Sequence, residues 1–374
     1  MICSMFRATS VFLWLVVTIL FVFAGTASSQ TLTLRNLESI NAANVTFDEE
    51  AIVTAGGKRI LWDQVLSGTV ASNQQQRFDR LLAEFGSPLF RIRHRMKVGD
   101  YSSLTEISEN LLAKFSQASP NKKNCRAIFL ASVGAYFGRI ADGQREHATL
   151  ALIQASQLAT QFPKLKNEQL PEDLTIGEIE KCFANSLVPI WFNKHSASTT
   201  FSIIKDNHRN DTNTWSGTPD GTVLYAASLA IAAAENETAK DCLDELRGRS
   251  STMCKAWLPT LLAYQELVSD KPGIAIATLE KKLVRLSDTH RAVAQYLSGL
   301  SHGMLNKQHD AGMLKLLYIP AVFGDRFRHL SSASLFHAAK FAEDSGNHVE
   351  SKSLKSELKN RYPGSHHAKL LQSK

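Results

Sequence analysis

A short pattern recurs along this chain at nearly constant spacing: a turn-forming residue, a polar stretch, and a small residue five positions after the first. Four copies start at residues 234, 270, 306 and 346, so successive starts lie 36, 36 and 40 residues apart. Looser copies start at residues 99 and 143. Repeats of this length are typical of stacked supersecondary units, which bury their apolar faces on one another. The copies are Gly99–Leu104, Gly143–Ala148, Ala234–Ala239, Asp270–Ala275, Asn306–Ala311 and Gly346–Ser351.

The segments around these turns carry apolar residues at helical spacing. The first clear case is Phe78, Leu81, Leu82 and Phe85, which fall on one face of a helix. By the same criterion we expect helix pairs over residues 92–112 and 125–162, and four further pairs over residues 223–361. A chain of 374 residues is long enough for one large domain or two. The sequence therefore predicts a mainly α-helical protein from residue 73 onward.

The end of the chain shows a family resemblance. The run Ala338–Ala368 combines small residues in its first helix, a Gly346-Asn347 turn and a Tyr362-Pro363-Gly364 end. These features resemble the last unit of a tetratricopeptide-repeat (TPR) array, and Ala294–Leu300 is similar to the first helix of another unit.

The TPR resemblance covers residues 88–163 loosely and residues 222–374 better. It implies a superhelix of helical hairpins with a concave surface, and a protein or peptide partner bound on that surface. It implies no catalytic machinery and no cofactor. The expected function is an exported scaffold for protein–protein interaction or assembly in the cell envelope.

The first thirty residues have the order of a secretory signal peptide. One positive charge lies within Met1–Arg7, an uncharged apolar run of 14 residues occupies Val11–Ala24, and small residues fill Gly25–Ser29. We expect a signal peptide over residues 1–27, and therefore a periplasmic, envelope or extracellular location. The alternative is an uncleaved anchor, although a spanning helix needs roughly 20 apolar residues. Membrane contact is expected only if the segment stays uncleaved.

Residues 28–72 have a different character from the rest of the chain. Leu32 and Leu34 alternate with threonines, and Gly56-Gly57 separates β-branched runs at residues 45–54 and 59–62. Such runs joined by a Gly-Gly pair predict a small β-meander with a hairpin turn. A piece of this size is marginal alone, so we expect it to pack on the helical part or to form part of a small SH3-like barrel.

The repeat pattern is interrupted at residues 193–221. A helix is expected from Pro171 to about Phe192, and the stretch after it is rich in Ser, Thr, Asn and Asp. We predict a polar loop or hinge there, between a helical block over residues 73–192 and the repeats over residues 222–374.

This polar segment also contains two candidate sites. Trp215 has no apolar neighbours in sequence and is expected to be exposed, where it is available to a partner. Asp206, His208 and Asp211 cluster nearby, but the segment lacks the glycine and terminal glutamate of a calcium loop. A plain polar loop is favoured over a metal site. An enzyme or ligand-binding protein with its site in this segment is the alternative function.

The densest basic patch is Arg91–Lys97. On a helix, Ile92 and Met96 make a narrow apolar seam, and the basic side chains spread over much of the remaining circumference. A solvated helix face is favoured over a phosphate-binding patch, and no nucleic-acid partner is predicted despite a formal charge of +7, because nucleic-acid binding needs a broader basic surface. Arg91 and Arg95 remain candidate contacts for a protein partner.

The pentapeptide Gly299–Gly303 matches the G-x-S-x-G pattern of α/β-hydrolases. That chemistry needs a strand before the serine and a helix after it, whereas the residues upstream of Ser301 have helical spacing. His329, His337 and Asp325 lie downstream as formal partners. We favour small residues that allow close helix packing over a hydrolase that uses Ser301.

Cysteines and histidines give no metal signature. The four cysteines after residue 27 have wide, irregular spacing without C-x-x-C, so buried thiols are expected at least as readily as disulfides. Cys242–Cys254 is the best candidate bridge. His366-His367 lies in the basic tail and is expected to be solvated. We predict no catalytic residues, no cofactor and no metal.

Overall fold

A computed structural model describes residues 30–208, 215–280, 287–305, 308–324 and 326–372. The predicted signal peptide over residues 1–27 lies outside the described residues. The chain divides into two compact units, Met1–Phe90 and Arg91–Lys374. The first contains small antiparallel sheets and the second is helical. The sequence-based prediction of a mainly α protein with a β-rich N-terminal element is confirmed at this level.

The strands form two separate three-stranded sheets rather than one meander. One sheet has the order β2-β1-β6 and the other β3-β4-β5, and every pairing is antiparallel. The predicted hairpin at Gly56-Gly57 joins β4 to β5, and Gly57 adopts a φ of 76°, which glycine tolerates best. The strands are β1 (Thr31–Leu34), β2 (Ser39–Asn41), β3 (Thr46–Phe47), β4 (Ala51–Val53), β5 (Arg59–Leu61) and β6 (Val65–Thr69).

Three aromatic rings lie in the core of the first unit. Trp62 and Phe78 are fully buried, with ring centroids 5.5 Å apart, and Phe47 lies 5.8 Å from Trp62. The Trp62 indole N–H donates to the carbonyl of Asp48 at 2.7 Å. Phe78 lies on the first helix, so that helix belongs with the sheets. The compact unit that contains the sheets therefore extends through this helix to Phe90, beyond the β-rich element predicted over residues 28–72.

Sixteen α-helices follow the sheets within the described residues, and no helix there combines the length and apolarity that a membrane span requires. A π-helical turn, Leu82–Gly86, separates the first two. The helices are α1 (Ser72–Leu81), α2 (Ser87–Lys97), α3 (Leu104–Ala113), α4 (Cys125–Ala141), α5 (Arg145–Gln161), α6 (Ile176–Glu180), α7 (Lys194–His208), α8 (Asp220–Ala233), α9 (Asn236–Gly248), α10 (Thr252–Val268), α11 (Pro272–Glu280), α12 (Asp288–Met304), α13 (His309–Phe323), α14 (Arg328–Asp344), α15 (His348–Arg361) and α16 (His366–Gln372).

The recurring turn residues share one geometry. All five that are described end a helix in the left-handed conformation, with φ between 58° and 81°. In each case the next residue donates its backbone N–H to the carbonyl five positions earlier, as Gln144 does to Arg139 at 2.7 Å. This is the Schellman motif, which satisfies the last carbonyls of a helix. The five are Gly99, Gly143, Ala234, Asp270 and Gly346; Asn306 lies outside the described residues.

The small residue five positions later packs in the interior with one exception. Ala148, Ala239 and Ala275 are completely buried. Ala311 is instead exposed, and the adjacent Gly312 is buried. A Cβ atom on Gly312 would lie only 2.5 Å from the backbone nitrogen of Gly303. In this pair of helices the contact is therefore backbone against backbone, and the pattern shifts by one residue.

The segment predicted as a polar loop contains a helix. Lys194–His208 forms α7, which buries Ala197, Phe201 and Ile204 and packs against α5 and α8. These three residues have helical spacing, which the surrounding serines and threonines obscure. The predicted hinge is wrong, because residues 91–374 form one compact unit.

The helix expected from Pro171 to about Phe192 is much shorter than predicted. Between Pro171 and Phe192 only Ile176–Glu180 forms an α-helix, which begins at a capping box made by Thr175 and Glu178. The chain that follows is irregular yet largely buried, and Cys182 adopts a φ of 53°. Burial raises the pKa of the Cys182 thiol to about 12.

All four described cysteines are buried thiols, and no disulfide joins Cys242 to Cys254. The interpretation of the cysteines as small apolar residues of the core is confirmed for Cys125, Cys182, Cys242 and Cys254.

Candidate functional site

Trp215, predicted to be exposed, is only 2% exposed. Its loop folds onto Arg249, which donates to the carbonyl of Trp215 at 2.9 Å and to the carbonyl of Thr218 at 2.6 Å. Trp215 has no apolar neighbours in sequence, and it is buried by tertiary contacts instead. The predicted exposure is wrong, and a partner-binding role for Trp215 loses its basis.

The basic patch is a solvated helix face, as expected. Ile92 and Met96 are buried, and Arg91 is exposed. Arg95 is engaged within the chain: its Nη1 donates to Asp100 Oδ2 at 2.9 Å and to Ser102 Oγ at 3.0 Å. A role for Arg91 and Arg95 towards a partner stays a prediction.

Ser301 lies in the middle of helix Asp288–Met304 and is completely buried. Its hydroxyl donates to the carbonyl of Leu297 at 2.8 Å, one turn earlier in the same helix. A nucleophile elbow needs a strand before the serine, so the hydrolase interpretation of this pentapeptide is wrong. A Cβ on Gly303 would lie 2.0 Å from the ring of Phe341, which confirms that the glycine permits close packing.

Only two of the three candidate metal residues of the polar segment lie within the described residues. Asp206 and His208 lie on helix Lys194–His208, and Asp211 lies outside the described residues. The His208 ring approaches the amide of Gln157 at 3.3 Å, and burial lowers the pKa of His208. Within the part of the chain that the structure describes, no group of three His, Cys, Asp or Glu residues is placed to hold a metal ion.

A cavity of about 800 Å³ opens in the helical unit, where stretches distant in sequence meet. This volume is within the roughly 300–1,000 Å³ typical of ligand sites. The walls come from the turn between α4 and α5, the irregular chain from Ser186 to Asn193, the first turn of α7, the start of α14, and residues 362–367. Asn193 and Ser196 thus bring part of the predicted polar segment to the site.

Arg145 is the first residue of α5 and lines the cavity. Its Nη2 donates to the carbonyl of Ser186 at 3.2 Å, while its buried Nε has no hydrogen-bond partner among the described residues. Burial lowers the pKa of Arg145 to about 10, against the opposing effects of Tyr136, Glu146 and Tyr225. The guanidinium stays protonated at neutral pH, and an anion entering the cavity would stabilise it.

The charge of the cavity wall is mainly positive. Among the described lining residues, Glu146 is the only carboxylate, whereas three arginines, Arg145, Arg326 and Arg328, line the same cavity. Glu146 is 6% exposed and accepts a hydrogen bond from the backbone N–H of Asn193 at 3.3 Å. Arg326 also lies 3.6 Å from Asp288 at the surface. The excess of arginines makes the cavity electropositive.

Two histidines face the cavity from different helices. His367 is 4% exposed, and its ring centroid lies 4.8 Å from that of Phe192. His329 packs 6.3 Å from the same phenyl ring. The buried Nδ1 of His367 and Nε2 of His329 have no hydrogen-bond partner within the described part of the chain.

Both rings are neutral at physiological pH. Burial holds the pKa of His329 well below its usual range, and the positive charge of Arg145 adds to the effect. Burial, with smaller contributions from His337 and His366, lowers the pKa of His367 to about 2. A neutral imidazole carries one N–H donor and one acceptor, so both rings can hydrogen-bond a ligand.

The burial of His367 contradicts the expectation that the histidine pair in the tail is solvated. Helix His366–Gln372 folds back onto α14 and α15, which covers the ring of His367. Sequence reasoning missed Arg145, Glu146 and His367 as site residues. Arg145-Glu146 follows the turn at Gly143 and His366-His367 follows the last repeat, but these positions do not indicate that the two pairs meet.

No protein-family profile, curated protein or solved structure matches the chain. The function is therefore inferred from the cavity itself. Its walls supply positive charge, N–H donors and aromatic surface, which is the chemistry of a binding site with polar groups at fixed positions.

Proposed function

We propose that the protein is an exported helical-repeat scaffold that binds a protein partner, and that a segment of this partner enters the cavity. The observation that carries the proposal is that residues as distant in sequence as Arg145 and His367 line one concave volume in which arginines outnumber carboxylates. A surface of this kind on rigid helices is suited to holding one group of a partner in place. The proposal includes no catalytic step.

The TPR-like architecture is part of the proposal. It is supported by the Schellman turns, which recur near the spacing of the sequence repeat. It is also supported by the packing of consecutive helices, most extensively α12 on α13 and α13 on α14. In stacked helical hairpins, each pair buries its apolar face on its neighbours. Export rests on the signal-like sequence over residues 1–27 alone.

A small-molecule binding protein is the second candidate. The concave volume and the ring of Phe192 favour it, because small ligands bind in concave sites with aromatic walls. An envelope-anchored component is the third, and it depends only on whether the N-terminal segment is cleaved. Mass spectrometry of the mature N-terminus separates anchored from released protein.

The test of the scaffold blocks the cavity without shortening the chain. Gln144 is exposed, lines the cavity and makes no side-chain cap to α5. Gln144→Trp should therefore fill the mouth while it preserves the fold. Gln161→Trp, at the opposite, exposed end of the same helix, is the matched control.

Full-length protein and both variants are used for affinity capture from cell and envelope extracts of the source organism. We expect one or more proteins to be captured by the unmodified chain and by Gln161→Trp, and to be lost with Gln144→Trp. An identical set of captured proteins for all three chains would contradict the proposal.

A further inference from the structure

The unpartnered nitrogens of the cavity point to the chemistry of its ligand. Arg145 Nε, His329 Nε2 and His367 Nδ1 are each buried without a hydrogen-bond partner among the described residues. Buried polar groups in native proteins are nearly always hydrogen-bonded, because leaving them unpaired is costly. Each of the three side chains lines the cavity from a different helix, and a ligand with several acceptor atoms would supply the missing partners once the side chains turn towards it with N–H groups at these positions.

Two long helices begin at the same cavity. Both α5 and α14 span 17 residues, and their N-cap residues, Gln144 and Phe327, make no side-chain cap. The first backbone N–H groups of a helix have no partner within the helix, and its N-terminus carries a partial positive charge. Helix starts of this kind bind phosphate groups through these N–H groups.

The charged side chains favour a ligand with more than one negative charge. Arg145 lies inside the cavity, and Arg326 and Arg328 lie at its exposed side. Glu146 opposes them, but its Oε1 is engaged by the backbone of Asn193. A carboxylate offers two oxygens and one charge, fewer than the donors present. A phosphate monoester offers three terminal oxygens and a charge of about −2 at neutral pH.

The shape of the cavity excludes a bare ion as its natural ligand. A volume of about 800 Å³ is far larger than one phosphate, and part of its wall is apolar. Ile140, Ile190 and Phe192 supply this apolar wall, on the side of the irregular chain and the α4 end. An organic body attached to the phosphate would cover it.

We propose that the cavity binds a phosphate-monoester group carried on an organic body, with Arg145 as its main charged contact and the starts of α5 and α14 as N–H donors. This inference rests on the proposed function, since it names the group that the bound partner presents. His329 and His367 donate to the phosphate as neutral imidazoles. Glu146 limits the affinity by repulsion and keeps the empty cavity from holding an uncompensated charge.

Isothermal titration of the full chain with phenyl phosphate tests this inference. Benzoate has the same ring with one charge and two oxygens, and inorganic phosphate lacks the ring. We expect phenyl phosphate to bind roughly tenfold or more tightly than either. Arg145→Gln should weaken phenyl phosphate binding by about tenfold or more, and Glu146→Gln should strengthen it by a few fold.

Two further variants keep the result interpretable. Arg328 is exposed, so Arg328→Gln should fold normally and still weaken binding by a few fold. Arg80→Gln, at an exposed position of α1, should have no effect. Equal affinity for benzoate and phenyl phosphate, no binding of phenyl phosphate, or unchanged binding by both Arg145→Gln and Arg328→Gln would overturn the proposal.

Whether the phosphate ester belongs to a polypeptide or to a small molecule is tested by comparing the affinities of two more ligands, O-phosphotyrosine and a short peptide that contains phosphotyrosine. Tighter binding of the peptide places the ester on a partner polypeptide, and equal or weaker binding places it on a small molecule; both results support the site. If Gln144→Trp abolishes partner capture but phenyl phosphate does not bind, only this inference fails. If phenyl phosphate binds but capture does not depend on the cavity, the scaffold proposal fails instead.

Discussion

Two groups of Arg, Lys and His side chains in the helical unit differ in where the fold places them. The patch Arg91–Lys97 is continuous in sequence, yet on α2 its side chains spread around the helix, and Arg95 pairs with a neighbouring turn. Arg145, His329 and His367 are scattered over the chain, yet they meet at one cavity and keep unpartnered nitrogens. Consecutive charged residues on a helix therefore do not form a binding site, because their side chains point in different directions. The tertiary fold, in contrast, can bring residues that are distant in sequence together in a buried environment of low dielectric constant.

The largest expected effect is a loss of stability in acid, caused by a buried histidine next to the cavity. His337 packs beside His367, with ring centroids 5.9 Å apart, and burial, helped by Lys340, lowers its pKa to about 4. Because this folded-state pKa lies below the unfolded value, the stability from neutral His337 is complete above pH 6.5 and is lost as the pH falls towards 4. The loss amounts to at most about 3 kcal/mol. Urea unfolding at several pH values should show it, and His337→Phe should retain that stability.

The exposed His195 provides the matched control for this measurement. His195→Gln should leave the acid dependence of the unfolding free energy as it is in the unmodified protein. If His337→Phe and His195→Gln lose stability equally between pH 6.5 and 4, His337 is not the cause.

Removing the buried charges should stabilise the fold. Arg145→Met alone leaves Glu146 buried without its neighbouring charge, so we expect destabilisation. The double variant Arg145→Met, Glu146→Gln removes both desolvation costs, and we expect the free energy of unfolding at pH 7 to rise by about 1–3 kcal/mol. Arg91→Met on the surface should change it by no more than about 0.5 kcal/mol. A double variant less stable than the single one would show that the pair is a net source of stability.

The surface patch should give the smallest effect. Arg95→Met removes the contacts to Asp100 and Ser102 that brace the turn after α2. Exposed ion pairs contribute little, so we expect the unfolding midpoint temperature to fall by about one to two degrees. The difference from the unmodified protein should shrink in high salt, which screens surface charges. A larger fall that does not depend on salt would contradict this expectation and show that Arg95 behaves as a buried charge, as Arg145 does.

The turns were predictable from sequence because their chemistry is local. Gly143 and Gly346 mark helix ends through a backbone conformation that glycine adopts without strain, and the same motif recurs at Ala234 and Asp270. The spacing of the sequence repeat therefore identifies these helix ends directly. The helical class and the role of Gly303 followed from the same pattern.

The site was not predictable in the same way, because its features are tertiary. The serines and threonines of α7 hide the apolar stripe of Ala197, Phe201 and Ile204. Trp215 and His367 lie among polar residues in sequence and become buried only when distant helices cover them. No local period reports the meeting of the α5 start with the chain end, so the cavity had no signature in sequence.

The glycine contact between α12 and α13 has an evolutionary consequence. Most core positions can exchange one apolar side chain for another, but a Cβ on Gly312 would meet backbone atoms at 2.5–2.7 Å, and backbone cannot change its rotamer. As sequences diverge, Gly312 should persist while the residues around it change.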